Sequence, residues 1–306
     1  MNSFRILLAG SLTMVATLSQ GQSVHNTKLA LVSDTQAPMT VEKIWLKANR
    51  NEEATGKVFD DIVRIQPHTV FLLGDVVALG YRDKKWRRVD AFLQDCRSKG
   101  ISAEAVMGNH DVMTFGKSGE KKFQKRFPDH VRTGFTVVRD SIAIVMLNSN
   151  FKKLGKAGRN IQEEWLGHEI SRLDKDPSIV HVIVTCHHAP YSNSKIVGSS
   201  KPVQERFVPY FYSSAKACIF ITGHSHNFER FKRDGKDFLV IGGGGGIHQP
   251  LNQKADRLDD VSGEYKPDYH YITLQRSGRN LIIVSRALAK DFSGFSDGYT
   301  LKISRP

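Results

Sequence analysis

Short apolar runs alternate with longer segments of mixed polarity from residue 28 onward. Runs of β-branched and aliphatic residues predict strands at residues 28–33, 69–73 and 101–107. The amphipathic segments between these runs predict helices at residues 40–64 and 86–98. A strand–helix–strand order with crossovers of this length favours parallel pairing within an α/β sheet.

The second half of the chain continues this order and then loses its helices. Two strands joined by a tight turn are predicted at residues 136–140 and 142–147, followed by helices at 162–173 and 203–213 and strands at 180–185 and 217–221. Residues 238–241, 269–275 and 281–286 predict strands without intervening helices, and 299–303 a last edge strand. This change predicts a mixed second sheet stacked on the first. The charged stretch 254–268 is predicted to be a surface loop.

The N-terminus differs from the rest of the chain. A single charge, Arg5, precedes an apolar run from residue 6 to 18 and then small and polar residues. This pattern predicts a secretory signal peptide over residues 1–21, with cleavage after Gly21 or Ser23, and one domain over residues 22–306. A membrane anchor is the alternative, but the run is shorter than the ~20 residues that a spanning helix needs. We therefore expect a secreted or periplasmic protein with no membrane span in the mature chain.

The chain is strongly basic, with 44 lysines and arginines against 31 acidic residues and a net charge of +13. A basic surface favours anionic partners, such as phosphorylated small molecules, nucleic acid or envelope polymers. No nucleic-acid-binding motif is present, so no specific nucleic acid is expected. The sequence does not indicate an oligomeric state. A basic cluster at residues 117–126 predicts a solvated helix face, with a substrate-binding patch as the alternative.

Three cysteines are an odd number for a chain that is predicted to be exported. Cys186 and Cys218 each lie in an apolar strand just before a polar cluster, and Cys96 lies in a predicted helix. We expect them to be buried as small apolar side chains. A Cys186–Cys218 disulfide stays open, because the sequence does not say whether the two strands are neighbours.

Five polar clusters follow the apolar runs. Since a strand delivers its last residues to the rim of a sheet, side chains from several strands can converge there. Carboxylate, amide oxygen and imidazole together suit divalent Mn, Fe or Zn. The clusters are Asp34-Thr35-Gln36, Gly74-Asp75, Gly108-Asn109-His110-Asp111, His187-His188-Ala189-Pro190 and Gly223-His224-Ser225-His226.

These clusters contain what a two-metal site needs. A carboxylate such as Asp75 has two oxygens and can bridge two cations about 3.5–4 Å apart. His224 and His226 are two residues apart, so that each imidazole can bind a different ion. Two cations bridged by a hydroxide supply a nucleophile for attack on phosphorus. His110, next to Asn109, is placed to donate a proton to the leaving oxygen.

The ordered motifs resemble the calcineurin-like metallophosphoesterase superfamily, which includes purple acid phosphatases. The family pattern is D-x-H, G-D, G-N-H-D/E, a histidine near proline, and G-H-x-H, and the resemblance covers residues 28–246. It implies an α/β fold, a four-layer αββα sandwich of two mixed sheets flanked by helices, and two divalent metal ions. Transferred residue by residue, it assigns one metal to Asp34, Gln36, Asp75 and His226, and the second to Asp75, Asn109, His187 and His224.

The resemblance also implies roles around the metals. His110 and Asp111 are the candidate catalytic residues. His187 is preferred to His188 as the ligand, because the first histidine binds the metal in the similar H-H-P-P-Y motif. His188, Tyr191 and Arg230 are candidate substrate contacts, with a structural role as the alternative for the last two.

Two departures from the family pattern bear on the metal. Gln36 stands where most members have histidine, which resembles a branch of manganese-dependent ADP-ribose and nucleotide pyrophosphatases. Ala78 stands where purple acid phosphatases have a tyrosinate ligand, so a purple Fe(III) enzyme is not expected. The segment HSHNFER nevertheless resembles the H-x-H-x-Y-E-R of that branch. Manganese is the expected metal, with iron and zinc as alternatives.

The expected function is an exported, metal-dependent phosphoesterase that acts on small anionic phosphorylated substrates. One alternative is a phosphodiesterase or pyrophosphatase for nucleotides or ADP-ribose. An alternative of another class is a non-catalytic protein on the same fold that binds envelope polymers or phospholipids through its basic surface.

Overall fold

Strands and helices alternate along the chain as the apolar pattern predicts. The computed structural model describes residues 27–304, and the predicted signal peptide lies outside the described residues. Within this range no helix is both long and apolar enough to cross a membrane. In chain order the elements are β1 (Leu29–Val32), α1 (Glu42–Trp45), α2 (Asn51–Ile65), β2 (Thr69–Leu72), α3 (Asp83–Ser98), β3 (Ser102–Ala105), α4 (Gly116–Arg126), β4 (Phe135–Arg139), β5 (Ile142–Met146), α5 (Phe151–Lys175), β6 (His181–Cys186), α6 (Lys201–Arg206), α7 (Val208–Ser213), β7 (Ala217–Thr222), β8 (Phe228–Arg233), β9 (Lys236–Ile241), β10 (His270–Ser277), β11 (Asn280–Leu288) and β12 (Phe295–Ser304).

The first sheet has six strands in the order β12-β11-β10-β1-β2-β3. β1, β2 and β3 are parallel, which confirms the prediction from the crossover lengths. β10 pairs antiparallel with β1, and β11 and β12 continue in antiparallel order. The prediction that β10 and β11 belong to the second sheet is wrong, because β10 covers the edge of β1 that β2 leaves unpaired.

The second sheet has the order β4-β5-β6-β7-β9-β8, with four parallel strands between two antiparallel edges. β8 is absent from the predicted elements, because Phe228 and Phe231 are three residues apart and do not alternate with polar residues. A hairpin connects β8 to β9 through Asp234 and Gly235, with φ angles of 48° and 76°. This Asp-Gly pair is the sequence signal for a two-residue hairpin turn.

The two sheets pack face to face, with helices on their outer faces. Within β1, Leu29 and Leu31 lie in the core between the sheets, whereas Ala30 and Val32 lie in the core beneath the helices. Helices α2, α3 and α4 cover the first sheet, and α5, α6 and α7 cover the second. The predicted four-layer αββα sandwich is confirmed.

The helices differ from the prediction at their ends and breaks. The segment predicted as one helix at residues 40–64 forms two helices, α1 and α2. At the start of α2, the side chain of Asn51 accepts a hydrogen bond from the backbone N–H of Asn49 at 2.9 Å. The helix predicted at 203–213 divides into α6 and α7 at the turn before Pro209, because proline cannot continue the helical hydrogen bonds. α5 begins before the predicted segment and is interrupted at Gly155. The basic cluster lies on α4, in agreement with a helix face.

All three cysteines are free and buried. β6 and β7 are neighbours, but Cys186 lies opposite Thr222, four residues along β7 from Cys218. This separation is too long for a disulfide, which needs α-carbons about 4.4–6.8 Å apart. The cysteines therefore act as small apolar side chains.

Candidate metal centre

The five polar clusters follow parallel strands in both sheets. Asp34 follows β1, Asp75 follows β2 and Asn109 follows β3. His187 follows β6 and His224 follows β7. The carboxyl ends of parallel strands are the usual ligand-binding edge of an α/β sheet. The stacking of the two sheets brings both of these edges together.

Three of the predicted ligands have a backbone conformation that L-residues rarely adopt. The φ angle is 60° at Asp34, 48° at Asp75 and 66° at His224. A left-handed conformation costs roughly 1–2 kcal/mol per residue. Backbone hydrogen bonds hold two of the loops together, from the N–H of Asp34 to the carbonyl of Gly74 and from the N–H of Gln36 to the carbonyl of Asp75, both at 3.1 Å. Such strain is characteristic of functional sites.

Two glycines allow the loops to pack against ligand side chains. A β-carbon on Gly108 would overlap the carboxylate of Asp75. A β-carbon on Gly223 would overlap the side chains of Ser33 and Asp34. Close packing therefore explains why glycine precedes the amide and the imidazole in two of the motifs.

The first group of predicted ligands comprises Asp34, Gln36 and His226, all buried. Nδ1 of His226 donates to the backbone carbonyl of Ile247 at 2.7 Å, and Nε2 then faces Oδ1 of Asp34 at 3.3 Å. The amide nitrogen of Gln36 donates to the backbone carbonyls of Asp75 at 2.9 Å and Asp34 at 3.3 Å. The amide oxygen then faces Nε2 of His226 at 3.3 Å; we assign this orientation from the hydrogen-bond partners.

The second group comprises Asp75, Asn109, His187 and His224. Nδ1 of His187 donates to the backbone carbonyl of Leu73 at 2.9 Å. Nε2 of the same ring lies 3.2 Å from each of three atoms: Oδ2 of Asp75, Oδ1 of Asn109 and Nδ1 of His224. Ligand atoms of Asp75, His187 and His224 all lie within 4.8 Å of one another.

Both groups fit a bound cation, because a carboxylate oxygen, an amide oxygen and an imidazole nitrogen come together in each of them. Among the described residues, the buried Oδ1 of Asp34 has no hydrogen-bond donor. Burial lowers the pKa of His187, but the charge of Asp75 outweighs this effect and raises that pKa to about 9. In the metal-free protein, a proton on Nε2 of His187 thus offsets the carboxylate, and a metal would compete with it. A bond from the second ring nitrogen to a backbone carbonyl is also usual for ligating histidines.

The carboxylate of Asp75 contacts the second group and the neighbouring loop. Its Oδ2 faces Nε2 of His187, and its Oδ1 accepts a hydrogen bond from the backbone N–H of His110 at 2.7 Å. Gln36 of the first group donates a hydrogen bond to the backbone carbonyl of Asp75. Asp75 therefore lies between the two groups, and the bridging role of its carboxylate stays a prediction.

Two further histidines lie beside the second group. Ring Nε2 of His110 lies 3.8 Å from Oδ2 of Asp75. The ring of His188 lies 5.0 Å from that of His187, and its Nδ1 is hydrogen-bonded with the hydroxyl of Ser149 at 2.7 Å. Burial and the neighbouring His187 lower the pKa of His188 to about 3, so its ring is neutral at pH 7. The acid role of His110 and the substrate contact of His188 stay predictions.

Asp111 lies beneath the ligand loops and is fully buried. Its carboxylate accepts hydrogen bonds from the backbone N–H groups of Val76 at 3.3 Å, Val77 at 3.1 Å and Gly108 at 2.8 Å. Burial and the charge of Asp75 raise the pKa of Asp111 to about 7. These contacts are those of a positioning residue that connects two loops, and a direct part in catalysis stays a prediction.

Glu229 was not among the predicted site residues, although it lies in the HSHNFER segment. It is fully buried, and it accepts hydrogen bonds from the backbone N–H of Asn193 at 2.7 Å and from the hydroxyls of Ser192 at 2.7 Å and Ser225 at 3.1 Å. Ser225 separates His224 from His226, whereas Ser192 and Asn193 belong to the loop that follows His187. Glu229 therefore connects the two histidine-bearing loops. The available signal was the resemblance of HSHNFER to the H-x-H-x-Y-E-R pattern, in which this glutamate matches the E.

Two predicted substrate contacts have structural partners. Arg230 is bonded to Asp237, at 2.9 Å from Nε and 2.6 Å from Nη2, and its Nη1 donates to the hydroxyl of Tyr299 at 2.8 Å. The ring of Tyr191 packs edge-on against Phe238, with centroids 4.8 Å apart. Within the described part of the chain, neither residue has a recorded contact with the two ligand groups. These contacts agree with the structural alternative, and a substrate contact stays a prediction.

Comparison with known protein families agrees with this geometry. The model of the calcineurin-like phosphoesterase family matches residues 27–228, about two thirds of the chain and all of its ligand-bearing loops. The chain belongs to this family. As a calcineurin-like phosphoesterase it is a metal-dependent phosphoester hydrolase of a family that binds two divalent metal ions. The predicted resemblance is therefore confirmed. None of the curated proteins compared with the chain matches it.

Solved structures share the calcineurin-like fold at low sequence identity. A purple acid phosphatase from yellow lupin seeds has a TM-score of 0.68 and 15% identity, over 91% of this chain and 54% of its own. A dimetal phosphatase from Danio rerio has a TM-score of 0.57 and 14% identity, over 91% of this chain and 99% of its own. GAP50, an anchor in the inner membrane complex of Plasmodium, has a TM-score of 0.66 and 16% identity, over 91% and 89%. The chain thus spans about half of the lupin enzyme, and these likenesses establish the fold alone.

Proposed function

We propose that this protein is an exported phosphoesterase that hydrolyses small phosphate esters at a two-metal centre with a preference for manganese. The main support is the second ligand group, in which Nε2 of His187 faces three acceptor atoms at 3.2 Å with its tautomer fixed by the carbonyl of Leu73. A carboxylate oxygen, an amide oxygen and imidazole nitrogens that converge in this way suit a divalent cation. Hydrolysis of phosphate esters is the chemistry of the family to which the chain belongs.

In the proposed reaction, water adds to phosphorus and the bond from phosphorus to the leaving oxygen breaks, which gives inorganic phosphate and an alcohol. Two bound divalent cations would supply a water of lowered pKa and would stabilise the charge on the phosphoryl oxygens. Asp34, Gln36 and His226 would hold one of them, and Asn109, His187 and His224 the other, with Asp75 between them. His110 would donate the proton to the leaving oxygen.

Gln36 supports manganese as the preferred metal. Its amide oxygen faces His226 in the first group, at the position where most family members have an imidazole. Oxygen donors favour Mn relative to nitrogen-rich sites, which suit Zn. Gln36 also supports a second candidate, a pyrophosphatase or phosphodiesterase for nucleotides or ADP-ribose, because that branch of the family resembles this chain at the same position.

Export is proposed from residues 1–21 alone, through the apolar run that follows Arg5. Expression of the full chain in a secreting host, followed by N-terminal sequencing of the product outside the cytoplasm, tests it. Mature protein that begins at residue 22 or 24 would support export. Uncleaved chain that stays in the cytoplasm would contradict it.

The function is tested with p-nitrophenyl phosphate, bis-p-nitrophenyl phosphate, nucleotides and ADP-ribose, each assayed after metal removal and readdition of Mn, Zn, Mg or Fe. We expect metal-dependent turnover with more activity restored by Mn than by Zn, and a shift toward Zn in Gln36→His. Bound metal without turnover of any substrate would favour the non-catalytic binding protein. Equal restoration by Mn and Zn, unchanged in Gln36→His, would contradict the role given to Gln36.

A further inference from the structure

A further polar segment lies at the same edge of the second sheet as the histidine-bearing loops. Residues 148–150, with the sequence Asn-Ser-Asn, directly precede α5 and follow β5. β5 pairs parallel with β6, the strand that precedes His187 and His188. The carboxyl ends of neighbouring parallel strands meet at one edge, so this segment adjoins the candidate metal centre. Its side chains belong to neither ligand group.

Buried hydrogen bonds hold this segment in place. The backbone N–H of Asn148 donates to the side-chain oxygen of Gln162 at 2.9 Å, and the side-chain nitrogen of Gln162 donates to the carbonyl of Asn148 at 3.0 Å. The side chain of Asn150 donates to the carbonyl of Met107 at 2.8 Å, in the loop that leads into the second ligand group. The side chain of Ser149, which is buried between these anchors, is therefore fixed relative to a ligand loop.

The hydroxyl of Ser149 contacts both the backbone and the ring of His188. Its oxygen accepts a hydrogen bond from the backbone N–H of His188 at 3.0 Å, and it lies 2.7 Å from Nδ1 of the ring. The hydroxyl proton can then go to Nδ1 or to the neighbouring thiol of Cys186. Because sulfur is only a weak acceptor, we assign this proton to the bond with Nδ1. With Nδ1 as the acceptor, the neutral ring carries its own proton on Nε2.

The partner of Nδ1 distinguishes His188 from two of the predicted metal ligands. Nδ1 of His187 and Nδ1 of His226 each donate to a backbone carbonyl, which can only accept, so Nε2 is the nitrogen that is left for a metal. Nδ1 of His188 instead meets a hydroxyl that donates to it, so its Nε2 is an N–H donor. Such a nitrogen has no lone pair for a metal, but it suits an oxyanion.

The ring of His188 lies against the accessible side of the second ligand group. Its centroid is 5.0 Å from that of His187 and 4.4 Å from that of His224. The side chains of His188, His224 and Asn109 are partly exposed, whereas His187 is buried. Within the part of the chain that the structure describes, no hydrogen bond is recorded for Nε2 of His188, so this donor is available to a molecule at the metal centre.

We propose that Ser149 is a positioning residue, which fixes the tautomer of His188 so that Nε2–H donates a hydrogen bond to a phosphoryl oxygen of the substrate at the second ligand group. This inference rests on the proposed phosphoesterase function and adds to it a means of recognising one phosphoryl oxygen. A neutral donor also avoids the repulsion that a protonated ring would meet beside metal ions. The chemical step is unchanged, since neither a proton nor the phosphoryl group passes to His188 or Ser149.

The tautomer is measured by long-range proton–nitrogen correlation NMR on the isotope-labelled, metal-stripped full chain at neutral pH. His188→Asn removes the ring and thereby identifies its signals. We expect the Nε2–H form in the wild type and in Ser149→Thr, which keeps the hydroxyl, and a mixture of both forms in Ser149→Ala. The control Ser213→Ala removes an exposed hydroxyl, bonded to the carbonyl of Tyr210, and should match the wild type. An Nδ1–H form in the wild type, or an unchanged tautomer in Ser149→Ala, would overturn the inference.

Kinetics in the manganese-loaded full chain show whether Ser149 acts through His188. We expect kcat/KM for p-nitrophenyl phosphate to fall about tenfold in both Ser149→Ala and His188→Asn, because a hydrogen bond to a charged group is lost. In His188→Gln an amide N–H can reach the place of Nε2 and should recover part of this loss. In the His188→Asn background, Ser149→Ala should cost little more, since the effects of residues that act through one another do not add. Full additivity would refute the positioning role.

Phosphate binding separates this inference from the proposed function. The manganese-loaded full chain is titrated with inorganic phosphate by calorimetry, and Ser149→Ala and His188→Asn should each bind it about tenfold more weakly than the wild type or Ser213→Ala. This loss of binding without turnover of any ester would refute the phosphoesterase and keep the oxyanion contact. Turnover of esters with an unchanged phosphate affinity in both variants would refute the contact and keep the enzyme.

Discussion

Replacing Glu229 by alanine removes the buried carboxylate that connects the two histidine-bearing loops. The carboxylate accepts hydrogen bonds from the backbone N–H of Asn193 and from the hydroxyls of Ser192 and Ser225, at distances between 2.7 and 3.1 Å. In Glu229→Ala all three donors lose this acceptor, and the loop with His224 and His226 loses its connection to the loop that follows β6.

The cost to stability follows from these three bonds. An unpaired buried donor costs about 1–3 kcal/mol, and the two hydroxyls can rotate toward other acceptors whereas the backbone N–H of Asn193 cannot. Burial raises the pKa of Glu229 more than the bonds from Ser192 and Asn193 lower it, so desolvation of the carboxylate already offsets part of their contribution. We expect Glu229→Ala to lower the free energy of unfolding by about 3 kcal/mol. At roughly 2 °C per kcal/mol in a chain of this size, Tm falls by about 6 °C.

The effect on the site should exceed what lost stability alone produces. Residues that orient metal ligands typically contribute about 10–100-fold in metal affinity or activity. We therefore expect manganese affinity, measured by calorimetry on the folded protein at 20 °C, to fall by about that factor in Glu229→Ala. Glu229→Gln keeps one acceptor oxygen and the side-chain volume, and should lose only about 1 kcal/mol of stability.

Glu264→Ala is the matched control, because Glu264 is exposed and, within the described residues, has no recorded hydrogen bond or ion pair. Its stability should stay within about 0.5 kcal/mol of the wild type. A Glu229→Ala protein with lower Tm but unchanged manganese affinity and turnover would refute the positioning role and leave Glu229 as a structural residue of the core. Unchanged Tm would refute the energetic argument itself.

Three further predictions concern other residues. Asp75→Ala should lose metal and turnover together, because the carboxylate of Asp75 lies between the two ligand groups. Elemental analysis and ester hydrolysis measure the two effects. A variant with two equivalents of bound metal and normal turnover would refute the two-metal model. His110→Ala should slow esters with poor leaving groups by about 10²–10⁴-fold and p-nitrophenyl phosphate much less; equal slowing of both would contradict the acid role. Burial raises the pKa of Asp61, but hydrogen bonds from Arg286 and Tyr271 outweigh it and hold that pKa below its usual value. A carboxyl group with a lowered pKa stabilises the fold above the unfolded pKa of about 4 and loses this contribution as pH falls below it. Urea unfolding between pH 6 and 3 should thus show a weaker acid dependence in Asp61→Asn, and identical profiles would exclude the effect.

The sequence predicts the strands of this fold better than their partners. Residues 28–33 and 69–73 have local apolar patterns, and parallel pairing follows from the helix between them. The position of β10 depends on a partner more than two hundred residues away, Leu29 opposite Leu274, and no local pattern encodes it. β8 is missing from the predicted strands for a related reason: its charged side chains interrupt the alternation of apolar and polar residues on which strand prediction depends.

Ligand identity was predictable because each ligand occupies a fixed place in a motif at the end of a strand. The direction in which a neighbouring side chain points is a tertiary property. Asp111 adjoins His110 in the sequence, yet its carboxylate faces the backbone of another loop. Glu229 and Arg230 are adjacent in β8, and only the glutamate bonds to the histidine loops, while the arginine is held by Asp237.

The site combines features that each cost stability in a protein without metal. Asp34, Asp75 and His224 have left-handed backbone conformations, and among the described residues the buried Oδ1 of Asp34 has no hydrogen-bond donor. A bound cation removes the second cost directly, because the carboxylate oxygen of Asp34 becomes a ligand. It also explains the first, since the turned backbone is what directs these side chains to a common point. The strain and the unpaired acceptor are therefore two consequences of one requirement, the binding of metal where the two sheets meet.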